Sequence, residues 1–183
     1  WSWDDVLPYF LKSENQERGP SKFHNISGPL AVSDQRIRLN ILDEFMNAAE
    51  EMGIPKVTDF NKGNNYGCGY FQVTVKNGLR CSAAVAYLKP IKNRSNLNIQ
   101  VKAHVKNIDF DNTKATGLTY WQNNKLFKVK AKKEVILSAG SIGSPHILQV
   151  SGVGEPSKLK NYGIKIVHES TGVGKNLQDH LMM

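Results

Sequence analysis

The chain of 183 residues has only two cysteines, no long apolar run and no acidic excess. Cys68 and Cys81 do not form a CxxC pair, and two thiols build no zinc site without histidines at ligand spacing. Both read as buried thiols rather than a disulfide, which favours a reducing compartment. No segment approaches the roughly 20 apolar residues needed to cross a bilayer, so no transmembrane helix is expected. An initiator methionine and a charged-then-apolar targeting segment are both missing ahead of Trp1, and "NLQDHLMM" carries no tail, so the chain reads as a piece of something longer.

What is present describes a folded protein. Forty per cent apolar and 22% charged residues argue against wholesale disorder, and the length allows one sizeable core, as a single domain or a domain plus an arm. The net charge of +8 raises the question of nucleic acid or an anionic membrane surface. The lysines, however, are dispersed among strand-like apolar positions in "KAHVKNIDFDNTKATG" and "NNKLFKVKAKKE". That pattern reads as a solvated face, with nucleic-acid binding as the alternative.

The opening "SWDDVLPYFLKSE" predicts an amphipathic helix capped by Ser2, with Pro8 placed to kink or divide it. Residues 12–33 read as loop around one strand-like fragment, "PLAV". In "RIRLNILDEFMNAAEEMGIP" the stripe Ile41, Leu42, Phe45, Met46, Ala49 and Met52 predicts a structural helix that Gly53 caps and Pro55 stops. Asn77-Gly78 predicts a hairpin, and Ser82 a cap for a short Ala-rich helix ending before Pro90. Arg80 and Ser82 together suit either an anion or an ordinary cap beside a surface charge. From Leu97 the pattern is mostly β: "LNIQVKAHV", a small meander, and a returning buried strand "EVIL". A helix over 144–150, a strand "IKIVHES" and the Gly-rich "TGVGKNLQDH" follow.

Two glycine clusters make poor nucleotide fingerprints. "GCGYFQ" precedes a strand instead of following one, and "TGVGKNL" has Leu177 where a third glycine belongs. The stretch "EVILSAGSIGSPHILQVSGVG" is different: a continuous apolar strand leads into Ser138, Ala139, Gly140, Ser141 and Gly143, with Ser144 as a cap and Pro145 in the first turn. Small residues at the C-terminal end of a strand let a ribose, adenine or pyrophosphate approach the backbone, although a tight structural turn uses the same residues.

"GSIGSPHILQVSGVG" resembles the second signature of the glucose–methanol–choline (GMC) flavoprotein oxidoreductases. "SWDDVLPYFLKSE", "GPLAV", "GLRCSAAVAYLKP", "RSNLNIQVKAHVKNIDF", "EVILSAG" and "GVGKNLQDH" follow the order seen in that family, so the resemblance spans the chain. It implies an α/β to α+β fold: part of an FAD-binding Rossmann-like domain interleaved with part of an α+β substrate-binding domain, with a β-meander. Residues 1–96 would be mainly substrate-domain and connecting segments, and 97–183 mainly FAD-binding segments. The family's N-terminal GxGxxG unit and C-terminal catalytic histidine segment are not in this sequence.

The same resemblance implies FAD as cofactor and names four residues toward it: Val105, by its backbone at the adenine end, and Ser138, Ala139 and Gly140 near the ribose and adenine. It implies no catalytic residue here, Asp179 and His180 included, and no metal. The parent would oxidise a small-molecule alcohol by hydride transfer to flavin, with oxygen or a quinone-like compound as electron acceptor and no nucleic acid as partner. This fragment alone would be inactive, in a cytoplasmic or peripheral-membrane setting. The alternatives are a truncated inactive family member and a basic nucleic-acid-binding module.

Overall fold

The computed structural model describes residues 1–180, which divide into two compact units, Trp1–Ile99 and the residues from Gln100 onward. In the first unit, α1 (Trp3–Ser13) opens with a reciprocal cap. The Ser2 hydroxyl accepts from the Asp5 N–H at 3.4 Å, and the Asp5 carboxylate accepts from the Ser2 N–H at 2.9 Å. The helix continues through Pro8 to Ser13, so the expected division does not occur. Trp3 leans on Phe23 with ring centroids 6.3 Å apart, while Tyr9 and Phe10 stay exposed.

Next comes β1 (Glu14–Gln16), paired in parallel with β2 (Leu30–Val32). "PLAV" supplies β2 as expected; β1, inside the segment read as loop, was not foreseen. Ala31 of β2 packs with Cys81 and Ala86 in a small core of short side chains, with Leu30 against it. The cysteines are free thiols, Cys81 buried and Cys68 only half-buried.

α2 (Asn40–Glu51) is followed by Gly53 at φ 84°, as the stripe and its stop signals predict. Of that stripe only Ala49 is buried; Ile41 and Phe45 are 71% and 67% exposed. The periodicity specifies a face to be covered, and the described residues do not cover it. β3 (Val75–Lys76) and β4 (Leu79–Arg80) form the predicted hairpin, with Asn77 and Gly78 both at positive φ. Ser82 then accepts from the Val85 N–H at 3.3 Å and Arg80 is exposed, which is the ordinary-cap arrangement. One wide turn over Ala84–Leu88, closed by the Lys89 N–H on the Ala84 carbonyl, runs into a tight turn over Lys89–Ile91. The helical stretch therefore runs through Pro90 instead of ending before it.

The second unit is built on the meander β5 (His104–Asp111), β6 (Lys114–Gln122) and β7 (Lys125–Lys130), antiparallel in that order. Asparagines at positive φ make both turns: Asn112 in the first, Asn123 and Asn124 in the second. Tyr120 stacks on its cross-strand partner Phe127 at 5.5 Å. At Gly117 a side chain is forbidden, because a Cβ there would lie 2.1 Å from the Val129 carbonyl oxygen of β7. The strand expected from Leu97 begins only at His104, after Lys102 turns the chain at φ 54°.

"EVIL" is not a strand in this structure: residues 134–137 join no ladder among the described residues, and Ile136 is 78% exposed. A parallel strand is held by neighbours, and none of the described segments lies alongside. α3 (Gly140–Val150) follows and packs against β5. Short β8 (Val153–Gly154), α4 (Pro156–Asn161) and β9 (His168–Glu169) complete the unit, β8 and β9 pairing in parallel, so only the last residues of "IKIVHES" pair.

One side chain fastens α3 to the meander. Ser151, at the end of α3, accepts from the Ile108 N–H on the outer edge of β5 at 2.8 Å and donates to the Ile147 carbonyl. Ser151 and Ile108 are both buried, so the N–H has no route to water. Ser151→Ala is expected to cost about 1–3 kcal/mol by orphaning that donor. Urea unfolding checks it, and Ser151→Thr, which keeps the hydroxyl, should retain most of the stability.

Candidate functional site

The small residues after "EVIL" are bare. Ser138, Ala139 and Gly140 are all exposed, and no atom lies within 4 Å of the position a Gly140 Cβ would take. Gly140 has φ 83°, a left-handed bend that a residue with a Cβ resists, so glycine here is required by the turn into α3. That bend starts α3 four residues before the helix start predicted at Ser144. Ala139 is the N-cap residue, the Ser144 hydroxyl accepts from the Ala139 N–H at 3.0 Å, and Pro145 lies inside the helix, not in its first turn.

α3 also gathers the second Gly-rich stretch. Ser141, Pro145 and His146 face Gly174, Lys175 and Asn176 across a cleft of about 740 Å³. The Gln149 amide donates to the Val173 carbonyl at 3.0 Å, and Gly174 lies so close to that amide that a Cβ would sit 2.6 Å from its nitrogen. Lys175 pairs with Glu155 at 2.7 Å, and the Lys175 hydrogen bond, helped by the Ser157 hydroxyl, holds the Glu155 carboxyl below its ordinary range. Sequence reasoning treated "GSIGSPHI" and "GVGKNLQ" separately; the fold makes them two walls of one cleft.

Val105 is half-buried on β5 opposite Tyr120, beside a bulge that shifts the register before Asn107. With α3 packed on β5, Val105 and Gly140 stand on adjacent elements. His180 is exposed, its backbone N–H donating to the Asp179 carboxylate at 2.9 Å. Among the described residues no group of His, Cys, Asp and Glu has the geometry to hold a metal ion.

The first unit contains a polar cluster that the sequence did not announce. His24 is buried, with Nδ1 2.9 Å from Glu14 and Nε2 3.0 Å from Asp59. Each ring nitrogen thus lies within hydrogen-bond reach of a carboxyl oxygen, and the imidazole bridges two acidic side chains. Beside it Gln16 and Gln72 pair amide to amide at 2.9 and 3.0 Å, and Gln72 also donates to Asp34, which Arg18 grips through two nitrogens at 2.7 and 3.1 Å. Five separated stretches of chain are pinned together. Desolvation is the largest single influence on the Asp34 carboxyl and raises its pKa, but the hydrogen bonds from Arg18 and Gln72 and the charges of Arg18 and Arg36 together outweigh it and the net shift is downward.

His24→Ala would remove the hydrogen-bond partner of both Glu14 and Asp59 and leave the two half-buried carboxyls facing a cavity, and a loss of about 3 kcal/mol is expected from thermal unfolding. Asp34 stabilises the fold above about pH 4, and that contribution is lost as pH falls through the depressed folded value. Asp34→Asn should therefore flatten the acid limb of a stability–pH curve while lowering stability at neutral pH.

With this geometry established, similarity to known proteins defines the class. The sequence profile of the GMC oxidoreductase family matches residues 1–182, and the chain belongs to that family. It is 39% identical to human mitochondrial choline dehydrogenase over 99% of its own length and 30% of that protein's. It is 41% identical to an alcohol dehydrogenase [acceptor] of Pseudomonas putida over 99% of its length and 33% of the relative's. Among solved structures, pyridoxine 4-oxidase from Mesorbium loti superposes with a TM-score of 0.91 at 28% identity, over 98% of this chain and 36% of the oxidase. An FAD-dependent oxidoreductase from Chaetomium thermophilum gives 0.89 at 31%, over 98% and 34%. The chain thus spans about a third of the length of the curated relatives it matches. The mixed α/β to α+β fold with a meander agrees with these neighbours.

Proposed function

We propose that this chain is the central part of an FAD-dependent oxidoreductase acting on the CH–OH group of an alcohol, and that Val105, Ser138, Ala139 and Gly140 line the adenine and ribose end of the cofactor. The observation that carries this reading is the exposed small-residue edge at the head of α3 in a chain of this family. FAD fits there in the simplest physical sense, because the segment puts nothing bulkier than a serine side chain between ligand and backbone. The first N–H groups of α3 lack intrahelical acceptors and are free to meet polar ligand atoms.

FAD supplies hydride acceptance, and these residues bind and orient it. Residues 1–96 belong mainly to the substrate domain and 97–183 mainly to the cofactor domain; the division into units near Ile99 supports this assignment. The names of the relatives favour choline or another small alcohol as substrate; the electron acceptor in this reading is oxygen or a quinone-like compound. Catalytic groups come from outside this span, so the chain alone is inactive. The unpaired residues 134–137 and the open stripe of α2 are surfaces that the rest of such an enzyme covers.

The test is Ala139→Leu in the full-length parent. Ala139 is exposed, so the folding of this unit should be unaffected, while FAD affinity should fall roughly tenfold as the leucine occupies cofactor space. Flavin absorbance retained after dialysis, set beside the unfolding midpoint of the apoprotein, reads the two effects separately. Full flavin retention would remove Ala139 from the cofactor site.

A further inference from the structure

A second cavity, of about 1060 Å³, lies in the same unit and shares no residue with the α3 cleft. Lys128 and Lys130 line it from β7 and Lys165 from the segment before β9, with Asn107 and Asp109 from β5. Alternation along a strand puts Lys128 and Lys130 on one face. Their cross-strand partners on β6 are the buried Thr119 and Gly117.

Three lysines therefore share a cavity with one carboxylate, which leaves an excess of positive charge there. Asp109 accepts from the Thr119 hydroxyl at 3.0 Å and from the Asn107 amide at 2.8 Å. None of the three lysines makes an ion pair among the described residues. Lysines along an open edge strand are a familiar guard against unwanted strand pairing, which accounts for Lys125, Lys128 and Lys130. It does not account for Lys165, brought to the same cavity from beyond α4.

We propose that this cavity binds a small polyanion carrying phosphate groups, held by Lys128, Lys130 and Lys165. Like charges held around a shared space repel until an anion neutralises them, and the volume admits a molecule of nucleotide size. The binding is separate from the cofactor reading and does not depend on it.

The experiment is calorimetric titration of the full-length parent, with its flavin bound, with inorganic pyrophosphate, with sodium chloride matched in ionic strength as control and citrate as a carboxylate polyanion. Saturable pyrophosphate binding is expected, weakened roughly tenfold or more in Lys128→Gln/Lys130→Gln/Lys165→Gln, the worth of losing at least one charge-assisted hydrogen bond. All three positions are exposed, so circular dichroism and the unfolding midpoint should match the wild type. Equal citrate affinity would overturn the phosphate assignment. No saturable binding, or binding that survives the triple substitution, would overturn the site.

Discussion

The second unit depends on a single buried hydrogen bond, from the Ile108 N–H to the Ser151 hydroxyl. β5 is an outer strand of the meander, so its outward N–H groups need acceptors that no fourth strand among the described residues provides. Ser151 supplies one at the point where α3 ends, and in doing so fixes the helix against the strand. Val105 lies three residues before the donor and Gly140 at the opposite end of the helix that carries the acceptor. The family signature thus combines a bare edge, a helix and an anchoring serine, and the anchor fixes where the edge sits.

Local signals were legible in proportion to how completely a few neighbouring residues determine them. The Ser2–Asp5 cap, the Asn77-Gly78 hairpin, the Gly53 stop and the meander all follow from short-range chemistry, and all are present. The start of α3 was misread because Ser144 and Pro145 look like a helix start, whereas the positive φ of Gly140 had already begun it. β1 escaped notice because three polar residues, "ENQ", form a strand only through their pairing with β2. The reverse holds for "EVIL", whose composition suits a buried strand but whose ladder depends on neighbours the described residues do not provide.

The polar cluster around His24 marks a deeper limit. Its members run from Glu14 to Gln72 with no period, and each taken singly reads as a surface residue. Only the fold shows that the ring has two carboxylate partners and that two glutamines satisfy each other. A small unit whose buried apolar core consists of alanines and a cysteine has little hydrophobic area to hold it, and a fully satisfied polar network supplies specificity in its place. That specificity comes with sensitivity, because removing one member strands the others.

The lysines show the same limit from the side of charge. In the sequence they are scattered, and scattering argues against a basic stripe of the kind nucleic acid requires. Folding does not convert them into a stripe. It places two on one face of β7 and a third beyond α4 around a common cavity that one carboxylate, Asp109, also lines. A dispersed charge pattern excludes an extended polyanion, whereas a compact one needs only that a few charges converge in space. Convergence is a property of topology, and composition is blind to it.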